Sequence, residues 1–487
     1  MKSRNAKTYG LLLLCAVVLM AQYVYFDCAD AVRNSVNLWH ALFDGEPLNF
    51  YQYTRMAEHN GTFASFAAFH AGATYSYFAY GVFAIWLFPL YLLERFFAVD
   101  LFAASWAVMY AKAGLLGISV LSAGLLKRIA QRALPERAAS FDWLPLAYLT
   151  SALFFSCTVA AGQLEAFTVL FMLLGFERYL RKKPTYVLFF ALALPIKYFA
   201  AVAFVPLLLV EEKRLLRLFG KLFLFLLPTV SLFLLFRADF SAKVGVLADH
   251  EGALRDFAFS ILGGGASGTR ANLYVGSMSF HYFFAGFFCL CAYCRLAKPE
   301  TPLQRARVGA FACLGGTLAF LLLFAQVNPY WAVLLVPFSL LAVALSPRPA
   351  KALALETLAT TLLVWWQILQ YPWVYGYYAM QNNAWLRAGI GQVREDITPH
   401  EAIVWLGEHM GMPLADYLLQ MLSTAALLAF AALVYMLFPR KNQTAPPDAL
   451  ASPDKRLLAL RLALSAGTLA VAVIFTYVGC ALLPRLP

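Results

Sequence analysis

Thirteen apolar runs of near membrane-spanning length divide the chain, and no other feature limits its fold as much. They lie at about 9–26, 76–97, 103–126, 142–161, 164–180, 186–210, 221–236, 278–294, 308–325, 330–346, 353–371, 416–438 and 457–483. A helix needs about 20 apolar residues to cross the hydrocarbon core of a bilayer. Backbone groups at that depth find no water, and long continuous runs satisfy them as helices. Charge is scarce to match: 13% of the 487 residues are Asp, Glu, Lys or Arg, about half the share of a soluble domain. Too little polar surface remains to face water, so the chain reads as an integral, multi-pass membrane protein. Its first run follows a basic start like a signal peptide, but no small-residue cleavage site follows, and an uncleaved first helix is expected.

Seven stretches, 1–8, 127–141, 178–183, 211–221, 295–307, 347–351 and 439–461, hold 26 of the 38 Lys and Arg residues. The positive-inside rule assigns them all to the cytoplasmic face, which fixes the parity of crossings. If 76–97 and 103–126 both crossed, every later basic stretch would face outward. The 76–97 run, with Trp86, Pro89, Tyr91, Glu94 and Arg95, therefore reads as an interfacial or re-entrant helix. The 186–210 run is basic on both flanks, and its two halves of about 12 residues reach only about 18 Å each. It reads as a short or broken hairpin turning at Pro195-Ile196-Lys197, with a cavity expected beside Lys197.

The expected fold is an all-α polytopic bundle of about 13 transmembrane elements, N-terminus inside and C-terminus outside, with a long first outer loop, 27–102, containing juxtamembrane helices. Residues 1–346 form the first expected module; residues 347–487 supply C-terminal helices and a second large outer loop, 372–415. Sorted this way, the outer loops hold more acidic than basic residues, so the net charge of +12 belongs to the inner face. That charge sets topology and does not point to nucleic acid. The eight cysteines sit mostly inside apolar runs, and Cys291 and Cys294 lack the second pair or histidines of a zinc site.

Asp27 and Asp30 open the outer loop in Tyr25-Phe26-Asp27-Cys28-Ala29-Asp30. A carboxylate at the rim of an apolar cavity is partly desolvated, which raises its pKa and suits it to take a proton from a hydroxyl. Both residues equally suit helix capping at an interface. Lys112 and Lys197 are the cations inside apolar runs, each costing about 2.5–3.5 kcal/mol on insertion scales. Each must meet an anion, either a lipid-linked phosphate or an internal carboxylate such as Glu165. Arg270 ends a glycine-rich stretch that lacks the signature of a nucleotide-binding loop. Gln163 and Glu165, at an outer turn, can hydrogen-bond sugar hydroxyls or orient a lysine. Asn328-Pro329-Tyr330-Trp331 joins two runs by a tight turn whose rings suit an aromatic belt, sugar CH faces or a polyprenyl chain.

The order of these features resembles the GT-C superfamily of integral-membrane glycosyltransferases, especially the polyprenyl-phosphate-mannose-dependent enzymes. The resemblance is carried by Asp27 and Asp30 with Trp39, Gly45 and Phe50-Tyr51, then by Trp86 to Pro89 and Lys112. It continues through Gly162-Gln163-Leu164-Glu165, Leu194-Pro195-Ile196-Lys197-Tyr198 and Pro329-Tyr330-Trp331, so it covers residues 1–346. It implies that this module is catalytic, with Asp30 or Asp27 as the base and Lys112, Lys197 and Arg270 on the donor phosphate. Gln163, Glu165, Tyr198, Asn328, Tyr330 and Trp331 would contact sugar or acceptor. It also implies inversion at the anomeric carbon, no metal, and no cofactor beyond the lipid-phosphate sugar that is itself the substrate. The adjacent acidic pair of several GT-C branches is missing, which leaves the choice between Asp27 and Asp30 open.

The activity expected is transfer of one sugar, mannose by the resemblance, from a polyprenyl-phosphate donor to a lipid or cell-envelope glycan on the outer face of a bacterial plasma membrane. The candidate polar residues lie on the face that lacks nucleotides, so an activated donor must arrive through the membrane. A transporter or flippase of lipid-linked glycans would share the broken helices and buried lysines, but would spread polar residues through the depth of several helices. An acyltransferase would set a His beside an acid within the membrane, whereas all seven His lie in or beside outer loops.

Overall fold

The computed structural model describes residues 2–59, 73, 75–101, 105–237, 279–324, 329–370, 388, 397–440 and 455–482. Helices make up the regular structure, and no strand occurs among the described residues. The first helix, α1 (Lys2–Gln22), ends at Tyr23-Val24-Tyr25, and α2 (Phe26–Phe43) departs at 85° to it. Neither Pro nor Gly makes this bend; Tyr25 does, by adopting an extended conformation with φ −69° and ψ 136°. After α3 (Phe50–His59), α4 (Tyr77–Phe97) packs along α2. Trp39 Nε1 donates to the Ala84 carbonyl at 2.8 Å and His40 meets Glu94 at 2.9 Å.

α5 (Trp106–Ala133) has 28 residues, about 42 Å of helix. α6 (Leu144–Leu149) and α7 (Ala152–Phe154) lead into a π-helix, Phe155–Ala161, which Gly162 closes in the left-handed region at φ 64°. After α8 (Glu165–Leu180), α9 (Tyr186–Ala193) and α10 (Ala200–Glu211) form the two halves of a hairpin. Lys221 shows that they fold back: its Nζ is 3.1 Å from Glu212, just past α10, and 5.3 Å from the ring of Tyr186, which begins α9. The break between them spans 194–199 and holds Lys197. α11 (Leu215–Leu235) exposes Leu216, Phe219, Phe223 and Phe233, an apolar surface that suits lipid.

The remaining helices are α12 (Ser279–Leu296), α13 (Pro302–Leu318), α14 (Leu335–Ala344), α15 (Pro349–Gln370), α16 (Pro399–Met410), α17 (Leu414–Leu437) and α18 (Lys455–Leu482). A capping box of Thr301 and Gln304 starts α13. The C-terminal helices pack into the same apolar core as α1 and α5 to α10. Arg461 of α18 pairs with the buried Glu356 of α15 and donates to the Ala147 carbonyl at 2.9 Å, while Tyr23 donates to the Leu469 carbonyl at 3.1 Å. Among the described residues, six helices, α4, α5, α11, α15, α17 and α18, are long and apolar enough to cross a membrane. The described residues are all-helical, and the long apolar helices among them are compatible with a multi-pass membrane protein.

Charge separates along this bundle. Arg132 and Arg181 meet Glu177, Arg305 meets Glu211, and Lys221 meets Glu212, all at one end. Glu165 lies twelve residues before Glu177 on α8, about 18 Å away. A second polar cluster gathers around it.

Candidate functional site

Four chain breaks converge at this cluster: the first turn of α2, the first turn of α8, the gap between α9 and α10, and the turn that precedes α14. Each exposes side chains that a continuous helix would direct elsewhere. Asp27, just past the bend after α1, accepts a hydrogen bond from Tyr330 Oη at 3.0 Å. The residue is half-buried, and protein packs round its carboxyl. Desolvation therefore pushes its pKa up to about 6, with Asp30 adding to the rise and the Tyr330 bond and Lys197 opposing it. Asp30, nearly one turn on, is half-buried and lies 3.7 Å from Arg33.

Glu165 is the first residue of α8, where the exposed amide groups of the helix favour a negative charge. Its Oε1 lies 3.0 Å from Lys197 Nζ, and both side chains are buried. The same ammonium lies 4.5 Å from the ring centre of Tyr75 and 5.8 Å from that of Trp331. Tyr75 donates from its hydroxyl to Gln163 Oε1 at 3.2 Å, and its backbone is held by Tyr51 and Tyr80, each at 3.1 Å. Ser76 donates to the carbonyl of Pro195, a group released by the break in the hairpin. The Trp331 ring packs 4.5 Å from Phe199, and its indole N–H is buried without a hydrogen-bond acceptor among the described residues.

Asp27, Asp30, Gln163, Glu165, Lys197, Tyr330 and Trp331 are thus brought together. Lys112 is not. It is fully buried, and its ammonium donates to the carbonyls of Val159 at 2.9 Å and Ala160 at 2.7 Å and to that of Tyr23. Val159 and Ala160 end the π-helix and Tyr23 follows the last turn of α1, so Lys112 neutralises carbonyls that helix ends leave unpaired. Its partners here are backbone carbonyls. Tyr198 is 46% exposed and packs on Phe199 and Phe320 at the bundle surface. Arg270 and Asn328 lie outside the described residues.

Sequence reasoning missed Tyr75, Ser76 and Phe199. Ser76 had a signal, since a Ser before an apolar run marks a helix start, and it does cap α4 by accepting from the Ala79 amide. Nothing in the sequence singles out Tyr75 from the other 24 tyrosines.

Chemically, the cluster offers one carboxylate poised near neutrality, one buried cation already balanced by Glu165, hydroxyl and indole donors, and aromatic faces. Such a set can deprotonate a hydroxyl and bind a polyol beside an anion. No group of three or more His, Cys, Asp or Glu that could hold a metal ion occurs among the described residues. No family model, curated protein or solved structure matches the chain.

Proposed function

We propose that the chain is a GT-C-type glycosyltransferase that moves one sugar, mannose by resemblance, from a polyprenyl-phosphate donor to a lipid or cell-envelope glycan acceptor. The observation that carries this reading is the meeting of Asp27 and Asp30 with Lys197 and Trp331 at the end of an apolar bundle, away from its basic rim. Asp27 is the base in this scheme. It takes the proton of the acceptor hydroxyl while that oxygen forms a bond to the anomeric carbon. The bond from that carbon to the phosphate oxygen breaks, the electron pair leaves with the phosphate, and the configuration inverts. In this scheme Lys197, held by Glu165, donates a hydrogen bond to the departing phosphate, and Tyr75 and Trp331 present ring faces to sugar CH groups.

The topology that goes with this reading has about 13 membrane elements, with the cluster facing outward and the basic rim in the cytoplasm. α4 is assigned to the outer interface because it lies along α2. Cysteine labelling at position 88 or 95 tests the assignment; access only from the cytoplasm overturns it.

The decisive experiment incubates the purified chain with polyprenyl-phosphate sugars and membrane lipids and identifies products by mass spectrometry. Asp27→Asn is expected to lower turnover by about 10²-fold or more, the usual range for a general base, with donor binding retained. Full turnover in both Asp27→Asn and Asp30→Asn rules out the base. Movement of labelled donor between leaflets without any transfer product favours the flippase reading instead.

A further inference from the structure

A groove opens on the flank of the bundle between α12, α13 and α17. It encloses about 440 Å³, and its lining, which includes Gly286, Cys289, Phe311, Gly315, Phe430 and Ala431, carries no charged side chain. Gly286, Cys289 and Ala431 are exposed, so the groove opens sideways to whatever surrounds the helices. Small residues recess its floor, and a hydrocarbon chain lying there meets protein on several sides, gaining dispersion contacts that an annular lipid lacks. Along α17 it runs from Leu427 to Phe438, eleven residues or about 16 Å. That is half of a hydrocarbon core about 30 Å thick, the depth of one leaflet.

One end of the groove lies beside charged groups. There the Phe438 ring packs 5.2 Å from Tyr293 and 5.4 Å from Phe311, and Tyr293 Oη reaches the Pro439 carbonyl at 3.5 Å. The chain then continues to Arg440, exposed, with its guanidinium 5.1 Å over Tyr435. Just past the end of α12, the exposed Lys298 follows Tyr293 by five residues. Lys298 and Arg440 are both exposed at this end, as is the nearby acid Glu300, whereas the neighbouring Lys213 and Arg295 donate to backbone carbonyls.

We propose that this groove binds an anionic phospholipid, one acyl chain in the apolar slot and the headgroup phosphate between Lys298 and Arg440. The leaflet is the one at the basic end of the bundle, cytoplasmic by the positive-inside rule. The proposal does not rest on glycosyl transfer, because the groove shares no residue with the Asp27 cluster.

Native mass spectrometry of the full chain tests it, after equilibration in mixed micelles with phosphatidylglycerol, phosphatidylcholine or a polyprenyl phosphate. Retention of phosphatidylglycerol about tenfold over phosphatidylcholine is expected. Ala431→Trp, a change at the exposed wall of the slot, is expected to remove the adduct. Lys298→Gln with Arg440→Gln is expected to abolish the preference while weak binding of both phospholipids persists, which separates loss of the headgroup site from loss of fold. Equal retention of the two phospholipids by the unaltered chain overturns the proposal. So does an adduct that survives Ala431→Trp, or retention of the polyprenyl phosphate above phosphatidylglycerol.

Discussion

Tyr330 and Asp27 lie 303 positions apart and share a 3.0 Å hydrogen bond in which the phenol donates to the carboxylate. The bond ties the turn before α14 to the bend after α1 and holds one oxygen of Asp27 in place. It stabilises the ionised carboxylate against the desolvation that surrounds it. One contact therefore both orients the candidate base and opposes the larger rise in pKa that desolvation causes.

A pH dependence follows from it. Asp27 accepts a proton only when ionised, so transfer is expected to rise with pH through about 6 and to fade below it. Tyr330→Phe removes a bond made to the ionised form and so raises the pKa further. A hydrogen bond to a charged group contributes about 1.5–3 kcal/mol and one pH unit corresponds to about 1.4 kcal/mol, so the acid limb should move up by about one unit or more. The pH profile of turnover for both proteins decides this; an unmoved limb would leave Tyr330 a packing role only.

The buried pair of Lys197 and Glu165 gives a second prediction. Removing one partner of a buried ion pair leaves an uncompensated charge and typically costs about 3–5 kcal/mol, whereas removing both costs far less. Lys197→Met should therefore lower thermal stability in detergent sharply, and Lys197→Met with Glu165→Gln should recover much of the loss. Equal melting temperatures for the single and double variants would show that the pair is not coupled.

Much of this was legible in sequence because membranes make helix length and charge parity strict. The break at Lys197 followed from two basic flanks separated by too few residues to cross and return. Asp27, Glu165 and Trp331 were identified as polar or aromatic residues at the ends of apolar runs. The Tyr330 contact was not legible, since spacing along the chain carries no information about partners 303 residues apart. The carbonyls that Lys112 meets were not legible for a different reason: they are open only because a π-helix and α1 end beside it, and neither end is marked by a Pro or by a charge. Gly162 alone hinted at a termination there.

Lys112 should then behave as a structural cation. Lys112→Met leaves three buried carbonyls without a donor, each costing about 1–3 kcal/mol, so a loss of about 3 kcal/mol or more is expected. Gly162→Ala attacks the same place from the other side. Its φ is +64°, and a Cβ would lie 2.8 Å from both Cys28 Sγ and Lys112 Cε. Thermal unfolding should report both losses. A Lys112→Met protein as stable as the unaltered chain but impaired in donor binding would return Lys112 to the phosphate role.

Gly316 makes the sharpest packing prediction, because it meets backbone and not a side chain. A Cβ there would fall 1.8 Å from the carbonyl oxygen of Val202, so α13 and α10 touch through their main chains. Small residues permit such close approach between membrane helices. Gly316→Ala must push α10 away, and α10 begins just past the turn that bears Lys197, so loss of folded protein and displacement of the Lys197 cluster should occur together. The adjacent Gly315 provides the contrast: a Cβ there meets only the side chain of Leu290, at 3.0 Å, which can rotate aside. Gly315→Ala is expected to stay within about 1 kcal/mol of the unaltered chain, and Gly316→Ala to lose well over the 1–3 kcal/mol typical of an overpacked core. Size-exclusion recovery and melting temperature of the two neighbours, measured side by side, check this; similar values for both would mean that the α10 and α13 backbones are not in contact.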